Sequence, residues 1–487
     1  MMLQAIKKYK EILAELDVDY AGEYDYTDKF LREKEKSGLN EAVKVGRGEI
    51  GQTEVVIIEL KWSFMAGTVG IAAGEKIACA FEYATKYKKP VIALSESGGI
   101  RIQEGVMALV AMAKINAALM KFRAKRLPFI SVLMDPVYGG VAASFALMGD
   151  INIGLEGARI GFGGKKLVTD ILHEKVPSDF QTAEYLYRYG GLDIVCDKRD
   201  LENTLTELLA WLNFKGEFKK LDKAARGRSY IEPKDILRKQ RKPHQLTGRD
   251  YVAQLFDDYV VLAGDRISFE DSSICAGIGI LNGRTVAFIA QCKGRNMKED
   301  ADNNYGMTRP EGYRKSLRIA RLADKFSLPL LVLLDSPGAH PGNVAEENNQ
   351  SIAIAENLMR FLDIKTPIVS IVIGEACSGG ALALSIADRL AMFDDSMYAV
   401  ISPESYAKIL KRKDVDDSIL AQMKYTAYDL KKNNIIDAVL KSKDFDYNSK
   451  QAKRYFCESI EELEEVPIKD LLDMRYNKVR YWGWTIK

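Results

Sequence analysis

The chain has 487 residues, 47% apolar and 28% charged, enough apolar material for two or three domains with buried cores and not the composition of a disordered chain. Seventy Lys and Arg nearly balance sixty-eight Asp and Glu, which removes any global electrostatic case for a nucleic-acid or membrane partner. The six cysteines form no CxxC pair and the three histidines, His173, His244 and His340, do not cluster, which argues against a zinc site and a disulfide framework.

At the N-terminus, Leu3, Ile6, Tyr9, Ile12, Leu13 and Leu16 recur at helical spacing without the apolar core of a signal peptide. The pattern predicts an amphipathic first helix within a helical extension over residues 1–39 of a cytoplasmic protein. No run approaches the roughly 18 to 20 consecutive apolar residues of a membrane span.

Residues 40–214 read as a first α/β domain. Apolar strands follow Pro90 in "KPVIALSESGG" and Pro128 in "LPFISVLMDPVYGG", and "RIQEGVMALVAMAKINAALMKFRAK" between them has the period of a packed helix. Residues 215–249 then hold twelve Lys or Arg against Glu217, Asp222, Glu232 and Asp235, which predicts a solvated basic linker; the alternative is a stretch facing a phosphate-bearing ligand.

Residues 250–487 repeat the first half. Strands follow Pro329 in "LPLLVLLDSPG" and Pro367 in "TPIVSIVIGEACSGG", and both proline pairs are 38 residues apart. Gly98 to Gly139 and Gly338 to Gly379 are each 41 residues, and "TAEYLYRYGGLDIV" finds its echo in "TAYDLKKNNIIDAV". Near-continuous apolar strands alternating with helices imply sheets covered on both faces, with sites at strand ends where the glycine loops lie. One such glycine usually marks a tight turn. Four in step suggest backbone N–H groups converging on an oxygen that becomes negative in reaction, such as a thioester carbonyl turning into an enolate.

These segments carry a family resemblance. "SESGGIRIQEGVMALVAMAKINAAL", "ISVLMDPVYGGVAASFALMGDINIG" and "ARIGFGG" resemble the carboxyltransferase beta subunit of bacterial acetyl-CoA carboxylase. "CKGRNMKEDADNNYGMTRPEGYRKSLRIARLADKF", "LLDSPGAHPGNVAEENNQS", "IGEACSGGALALSIADRLAMFDDSMYAVISPE" and "MRYNKVRYWGW" resemble the alpha subunit. The resemblance runs from about residue 40 to the C-terminus and implies a beta-alpha fusion: two tandem crotonase-like domains with repeated ββα units, the first for acyl-CoA and the second for carboxybiotin.

The implied activity is transfer of a carboxyl group from carboxybiotin to acetyl-CoA, giving malonyl-CoA for fatty acid biosynthesis, with no metal. Propionyl-CoA or another short acyl-CoA is the alternative substrate, and a subunit of a biotin-dependent decarboxylase or a silent scaffold the alternative role. On the resemblance, the N–H groups of Gly139 and Gly140 hold the thioester oxygen and those of Gly379 and Gly380 the ureido oxygen of biotin. Gly98 and Gly99 shape the thioester pocket, and Gly338 and His340 line the carboxybiotin pocket. The CoA phosphates are expected to meet Lys or Arg, with the basic stretch as one source.

Several positions depart from the family pattern. Residues 1–39 contain no cysteine where the beta subunit has a four-cysteine zinc ribbon, Ala376 and Cys377 replace two glycines, and His340 stands where Tyr is common. A Cys377–His340 nucleophile pair and a Clp-type serine hydrolase using Ser97 or Ser378 are the competing chemistries, but no Ser-His-Asp set is evident. Cys377 as a small buried residue is the simpler reading. The chain has no Ala-Met-Lys-Met biotinylation motif and no ATP-grasp-like region. The resemblance therefore implies a separate biotin carboxyl carrier protein, a separate biotin carboxylase, and a homodimer or larger homo-oligomer.

Overall fold

A computed structural model describes residues 6–14, 24–163, 169, 175–213, 216–226, 230–242, 246–412 and 414–482. The chain divides into Met1–Phe214 with Arg266–Phe269, and Lys215–Asp265 with Glu270–Lys487.

The first unit is one sheet of eight strands: β1 (Lys7–Ile12), β2 (Val43–Ile50), β3 (Thr53–Leu60), β4 (Val91–Ser97), β5 (Phe129–Tyr138), β6 (Ile151–Leu155), β7 (Ile160–Gly161) and β8 (Ile194–Cys196). Their order is β1-β2-β3-β4-β5-β6-β8, with β7 paired to β5. The first three strands run antiparallel, and every pairing from β3–β4 onward is parallel. Helices Ile71–Tyr87 and Gly105–Arg123 pack together. Phe81 meets Phe122 at 5.6 Å and Phe129, edge-on, at 5.2 Å between ring centroids. Such burial of apolar surface is the main drive for each layer to close on the next.

The second unit repeats the plan with β9 (Asp258–Val261), β10 (Ile274–Leu281), β11 (Arg284–Gln291), β12 (Leu330–Ser336), β13 (Ile368–Cys377), β14 (Arg389–Phe393), β15 (Met397–Ala399) and β16 (Ala438–Leu440). Its order is β9-β10-β11-β12-β13-β14-β16, with β15 paired to β13. The prolines explain where the parallel strands begin. Pro has no N–H for a ladder, so it sits just outside the strand, while its carbonyl still accepts. Pro90 O takes Val56 N–H, Pro128 O takes Val91 N–H, Pro329 O takes Ala287 N–H and Pro367 O takes Leu330 N–H, at 2.8 to 3.0 Å.

β4 and β12, and β5 and β13, match at a constant offset of 239 residues. At that offset Gly99 corresponds to Gly338, Gly140 to Gly379, and Gly139 to Ser378. The 41-residue spacing is therefore preserved, but its phase in the first half is one residue later than Gly98 and Gly139. Doublet glycines hide such a slip.

Two expectations change. The predicted first helix is instead edge strand β1, antiparallel to β2, where small residues make room for its side chains. A Cβ on Gly46 would lie 2.1 Å from the Tyr9 ring, and one on Gly48 2.5 Å from Ile6. Leu3 and Leu16 lie outside the described residues, and the helix in this region is Tyr24–Ser37.

Residues 215–249, expected as a linker, belong to the second unit. Ala224 lies in its main core and Ile236 packs with Cys377, Met397 and Tyr425. Several of the cations that made the stretch look solvated meet carboxylates of that unit: Arg226 bonds Glu458 at 2.9 Å, and Arg241 bonds Glu375 and Glu404.

By length and composition alone, the helix over Ile102–Arg123 is apolar enough to cross a membrane. It is the helix that the repeat places against Ile71–Tyr87. After Gly342 the chain forms two helices, Asn343–Glu347 and Gln350–Arg360, divided at Asn349, whose φ of +64° is a conformation Asn tolerates. His173 and His244 lie outside the described residues.

Candidate functional site

In the first unit, the loop after β4 and the turn after β5 come together. A Cβ on Gly99 would lie 3.2 Å from Tyr138 O and 3.5 Å from Gly140 N, and Gly99 has φ +115°. Ser97 fixes the loop: its hydroxyl donates to Gly67 O at 2.6 Å and accepts Gly99 N–H at 3.0 Å. Gly98 N–H goes to Ala66 O at 2.9 Å.

Gly139, φ +57°, donates its N–H to Phe162 O at 3.0 Å. The expected donor pair is thus not equivalent. Gly140 N–H starts a helical turn and has no acceptor among the described residues, whereas Gly139 N–H is engaged.

Behind this loop lies a buried ion network. Arg101 and the carboxylates of Glu41 and Glu104 are all at most 5% exposed. Arg101 bonds both Glu41 oxygens, Glu104 at 3.0 Å, Tyr26 OH at 3.2 Å and Thr68 O at 2.7 Å. Glu104 in turn accepts from Tyr26 and from Ile71 N–H at the start of helix Ile71–Tyr87.

The second unit has the same loop in different company. Ser336 Oγ donates to Gly306 O at 2.6 Å and accepts Gly338 N–H at 3.1 Å. Gly338, φ +136°, faces the β13 turn, where a Cβ on it would lie 3.7 Å from both Cys377 O and Ser378 Cβ. Gly380 is tightly enclosed, with Ala339 N and Tyr313 OH each 2.5 Å from a Cβ placed there. Gly379 is open, its nearest neighbour being Ile354 at 4.0 Å. His340 is partly exposed, yet its Nδ1 is buried and has no hydrogen-bond partner among the described residues. Burial, and then Arg309, lowers its pKa below 6.5.

Beneath the loop, Lys293 Nζ bonds Asp335 at 2.9 Å and Glu375 at 3.1 Å, and Arg241 bonds Glu375 at 3.0 Å. Burial would raise the Glu375 pKa, but Lys293 and Arg241 hold it below 4.5. Burial would lower that of Lys293, but Asp335 and Glu375 hold it above 10.5. Cys377 is fully buried and its thiol lies 3.6 Å from Glu375 Oε1. Burial and then Glu375 push the thiol well up, the opposite of an activated nucleophile. No hydrogen bond joins Cys377 to His340 among the described residues.

The structure thus brings Gly98, Gly99, Gly139 and Gly140 together in one unit and Gly338, Gly379 and Gly380 in the other. Sequence reasoning weighed Ser97 only as a nucleophile and not as the strap of its loop, and it missed Ser336, Arg101 and the Lys293 cluster. The two serines were findable, since they recur at the 239-residue offset. Among the described residues no group of three or more His, Cys, Asp or Glu is placed to hold a metal ion.

Solved structures share this architecture. Transcarboxylase 12S, described as a hexamer with hydrolysed methylmalonyl-CoA bound, aligns with a TM-score of 0.76 at 22% identity, over 94% of this chain and 87% of that one. A single-chain, multi-domain long-chain acyl-CoA carboxylase aligns with a TM-score of 0.69 at 17% identity, over 93% of this chain and 44% of that one. The fold is therefore the crotonase-like carboxyltransferase fold, in tandem.

Sequence relatives narrow the class. The acetyl-CoA carboxylase carboxyl transferase subunits beta/alpha of Clostridium tetani are 39% identical over 470 residues, 94% of this chain and 82% of theirs. Those of Natranaerobius thermophilus are 37% identical over 511 residues, covering 98% and 83%. The corresponding alpha subunit of Campylobacter hominis is 42% identical over 272 residues, 54% of this chain and 86% of that one. A family model described as acetyl co-enzyme A carboxylase carboxyltransferase-like matches residues 211–483. The chain belongs to the acetyl-CoA carboxylase carboxyltransferase family, in its beta/alpha form, and is an enzyme of that class.

Proposed function

We propose that the chain transfers a carboxyl group from carboxybiotin, carried on a separate biotin carboxyl carrier protein, to acetyl-CoA, giving malonyl-CoA. The observation that carries this reading is the pair of equivalent strand-end loops, each strapped by a serine and each meeting the N-terminus of a helical turn. In the first unit Gly140 N–H is the donor for the thioester oxygen, with Gly99 giving it room. In the second, a Cβ on Gly379 would meet nothing nearer than Ile354 at 4.0 Å, and His340 Nδ1, on the loop after β12, has no hydrogen-bond partner among the described residues. An open glycine on one loop and an unmatched polar atom on the other are features a ureido ring could use.

Carboxybiotin, when bound, supplies the carboxyl group and then a basic nitrogen for the α-proton of the thioester. The chain's part is to hold a developing negative oxygen with preset N–H groups, at no reorganisation cost, and to fix the two reactants in line. No side-chain base is required of it.

A biotin carboxylase completes the partner set, and the assembly is a cytoplasmic homo-oligomer. Helix Gly105–Arg123 supports the oligomer, since it exposes Val106, Met107, Leu109 and Met120.

The test is the reverse reaction. With free biotin and malonyl-CoA the protein should release acetyl-CoA, and omission of biotin should abolish release. Absence of biotin-dependent turnover with malonyl-, methylmalonyl- and ethylmalonyl-CoA would reject the reading. Competing acetyl-, propionyl- and butyryl-CoA in the forward assay, with carboxylated carrier, ranks the substrates.

A further inference from the structure

Gly140 and Gly379, matched glycines of the two helical turns, have different neighbours. A Cβ on Gly140 would overlap Ile100 Cγ1 and lie 3.0 Å from both Ile100 Cδ1 and Met112 Sδ. At Gly379 the nearest atom is 4.0 Å away, on Ile354. The 239-residue offset accounts for the contrast, since it matches Ile100 to Ala339 and Met112 to Ser351. The first unit thus places a branched and a thioether side chain where the second has two small ones.

Ile100 is more than packing. It is partly exposed and lines, with Gly98 and Thr68, a cavity of about 760 Å³ that extends to Trp62. Its backbone is held on both sides: Val69 N–H donates to Gly99 O and Arg101 N–H to Val69 O, each at 2.9 Å. Arg101, the next residue, is anchored in the buried ion network. A β-branched side chain on so fixed a backbone has little freedom at χ1. Met112 reaches the same point from helix Gly105–Arg123.

We propose that Ile100, backed by Met112, sets the length of acyl chain that the first unit accepts and confines it to acetyl. A thioester carbonyl held at Gly140 N–H brings the acyl carbons up to these two side chains, so each further methylene has to displace one of them. A fixed wall rejects the longer chain by overlap, which is a repulsive form of specificity. In the second unit Ala339 and Ser351 leave the corresponding space free for a bulkier ring. The identity of the ligand rests on the carboxyltransferase reading.

The test ranks acetyl-, propionyl- and butyryl-CoA in two assays on the full-length protein: carboxylation with carboxylated carrier, and binding by calorimetric titration. Wild type should favour acetyl-CoA in both. Ile100→Ala, which copies Ala339, should raise the propionyl-to-acetyl ratio of kcat/KM by about tenfold or more, the discrimination typical of one methylene. The butyryl-to-acetyl ratio should rise further. Ile100→Val, a smaller cut that costs folding less, and Met112→Ala should move both ratios the same way. Each figure is a ratio within one preparation, so loss of folded protein cannot raise it. Equal use of acetyl- and butyryl-CoA by wild type, or unchanged ratios in Ile100→Ala, overturns the proposal. If no biotin-dependent turnover occurs but Ile100→Ala shifts the binding preference toward butyryl-CoA, the carboxyltransferase reading fails and the chain-length wall stands. If turnover occurs with unmoved ratios, the wall fails and the carboxyltransferase reading stands. Binding of none of the three overturns both.

Discussion

Ser97 and Ser336 end the central parallel strands of their units, and each hydroxyl makes the same two bonds. Each donates to a glycine carbonyl, of Gly67 or Gly306, at 2.6 Å. Each accepts the N–H of the glycine two residues on, at 3.0 or 3.1 Å. Replacing either by Ala leaves a buried carbonyl and amide unpaired, at about 1–3 kcal/mol. Ser97→Ala should raise the KM for acyl-CoA and spare that for biotin, and Ser336→Ala should do the reverse. Urea unfolding and steady-state decarboxylation of malonyl-CoA check both parts.

The glycines of the second unit should separate folding from turnover. Gly380→Ala drives a methyl against the Ala339 amide and should lower both Tm and activity. At Gly379 a methyl has room, so Gly379→Ala should melt with wild type. Its turnover should still fall, because the methyl enters the space left for ligand. Scanning calorimetry beside the decarboxylation assay gives the comparison.

Glu375 and Lys293 set the pH limits of this loop. The carboxylate titrates lower folded than unfolded, so its stabilisation is present above about pH 4.5 and is lost as pH falls through the folded value. The ammonium titrates higher folded than unfolded, so its stabilisation is present below about pH 10.5 and is lost as pH rises through the folded value. Glu375→Gln should flatten the acid limb of a Tm-against-pH curve. At neutral pH it should cost about 1–3 kcal/mol, because it leaves the partly exposed Lys293 and Arg241 underpaired.

Arg101→Ala should be among the most disruptive single changes in the first unit, at about 3–5 kcal/mol, because it strands Glu41 and Glu104 in the interior. Arg101→Lys restores charge but not the fork that bonds both Glu41 oxygens, so partial rescue is expected. Denaturant midpoints at low and high salt should move little relative to one another, since the network is shielded from solvent ions.

Cys377→Ser should keep biotin-dependent turnover, because the thiol is held protonated and faces Glu375 and not the open loop. Thiol alkylation of the native protein should likewise leave the rate unchanged. Loss of activity in both experiments would restore a chemical role for the sulfur.

The repeat was legible because it is written in local backbone chemistry. Pro90, Pro128, Pro329 and Pro367 start strands by lacking an N–H, and the glycines end them by allowing backbone conformations other residues resist. What escaped notice is long-range. Arg101 meets Glu41 across 60 residues, Lys293 meets Glu375 across 82, and Arg241 meets Glu375 across 134. No local pattern announces such partners. The same blindness made residues 215–249 look like a solvated linker. The N-terminal strand was misread because pairing to β2, not the spacing of Ile6, Tyr9 and Ile12, decided its conformation.

The position two residues past the third strand of each sheet holds Trp62 in one unit and Lys293 in the other. A site that handles two unlike reactants on one surface must compromise between them. Doubling the scaffold removes that conflict: one copy is free to present an aromatic face while the other stores an ammonium among carboxylates. The backbone that aims each loop stays the same. Each half also serves as the internal control for the other, so paired substitutions at matched positions can tell what the shared scaffold contributes from what each reactant demands.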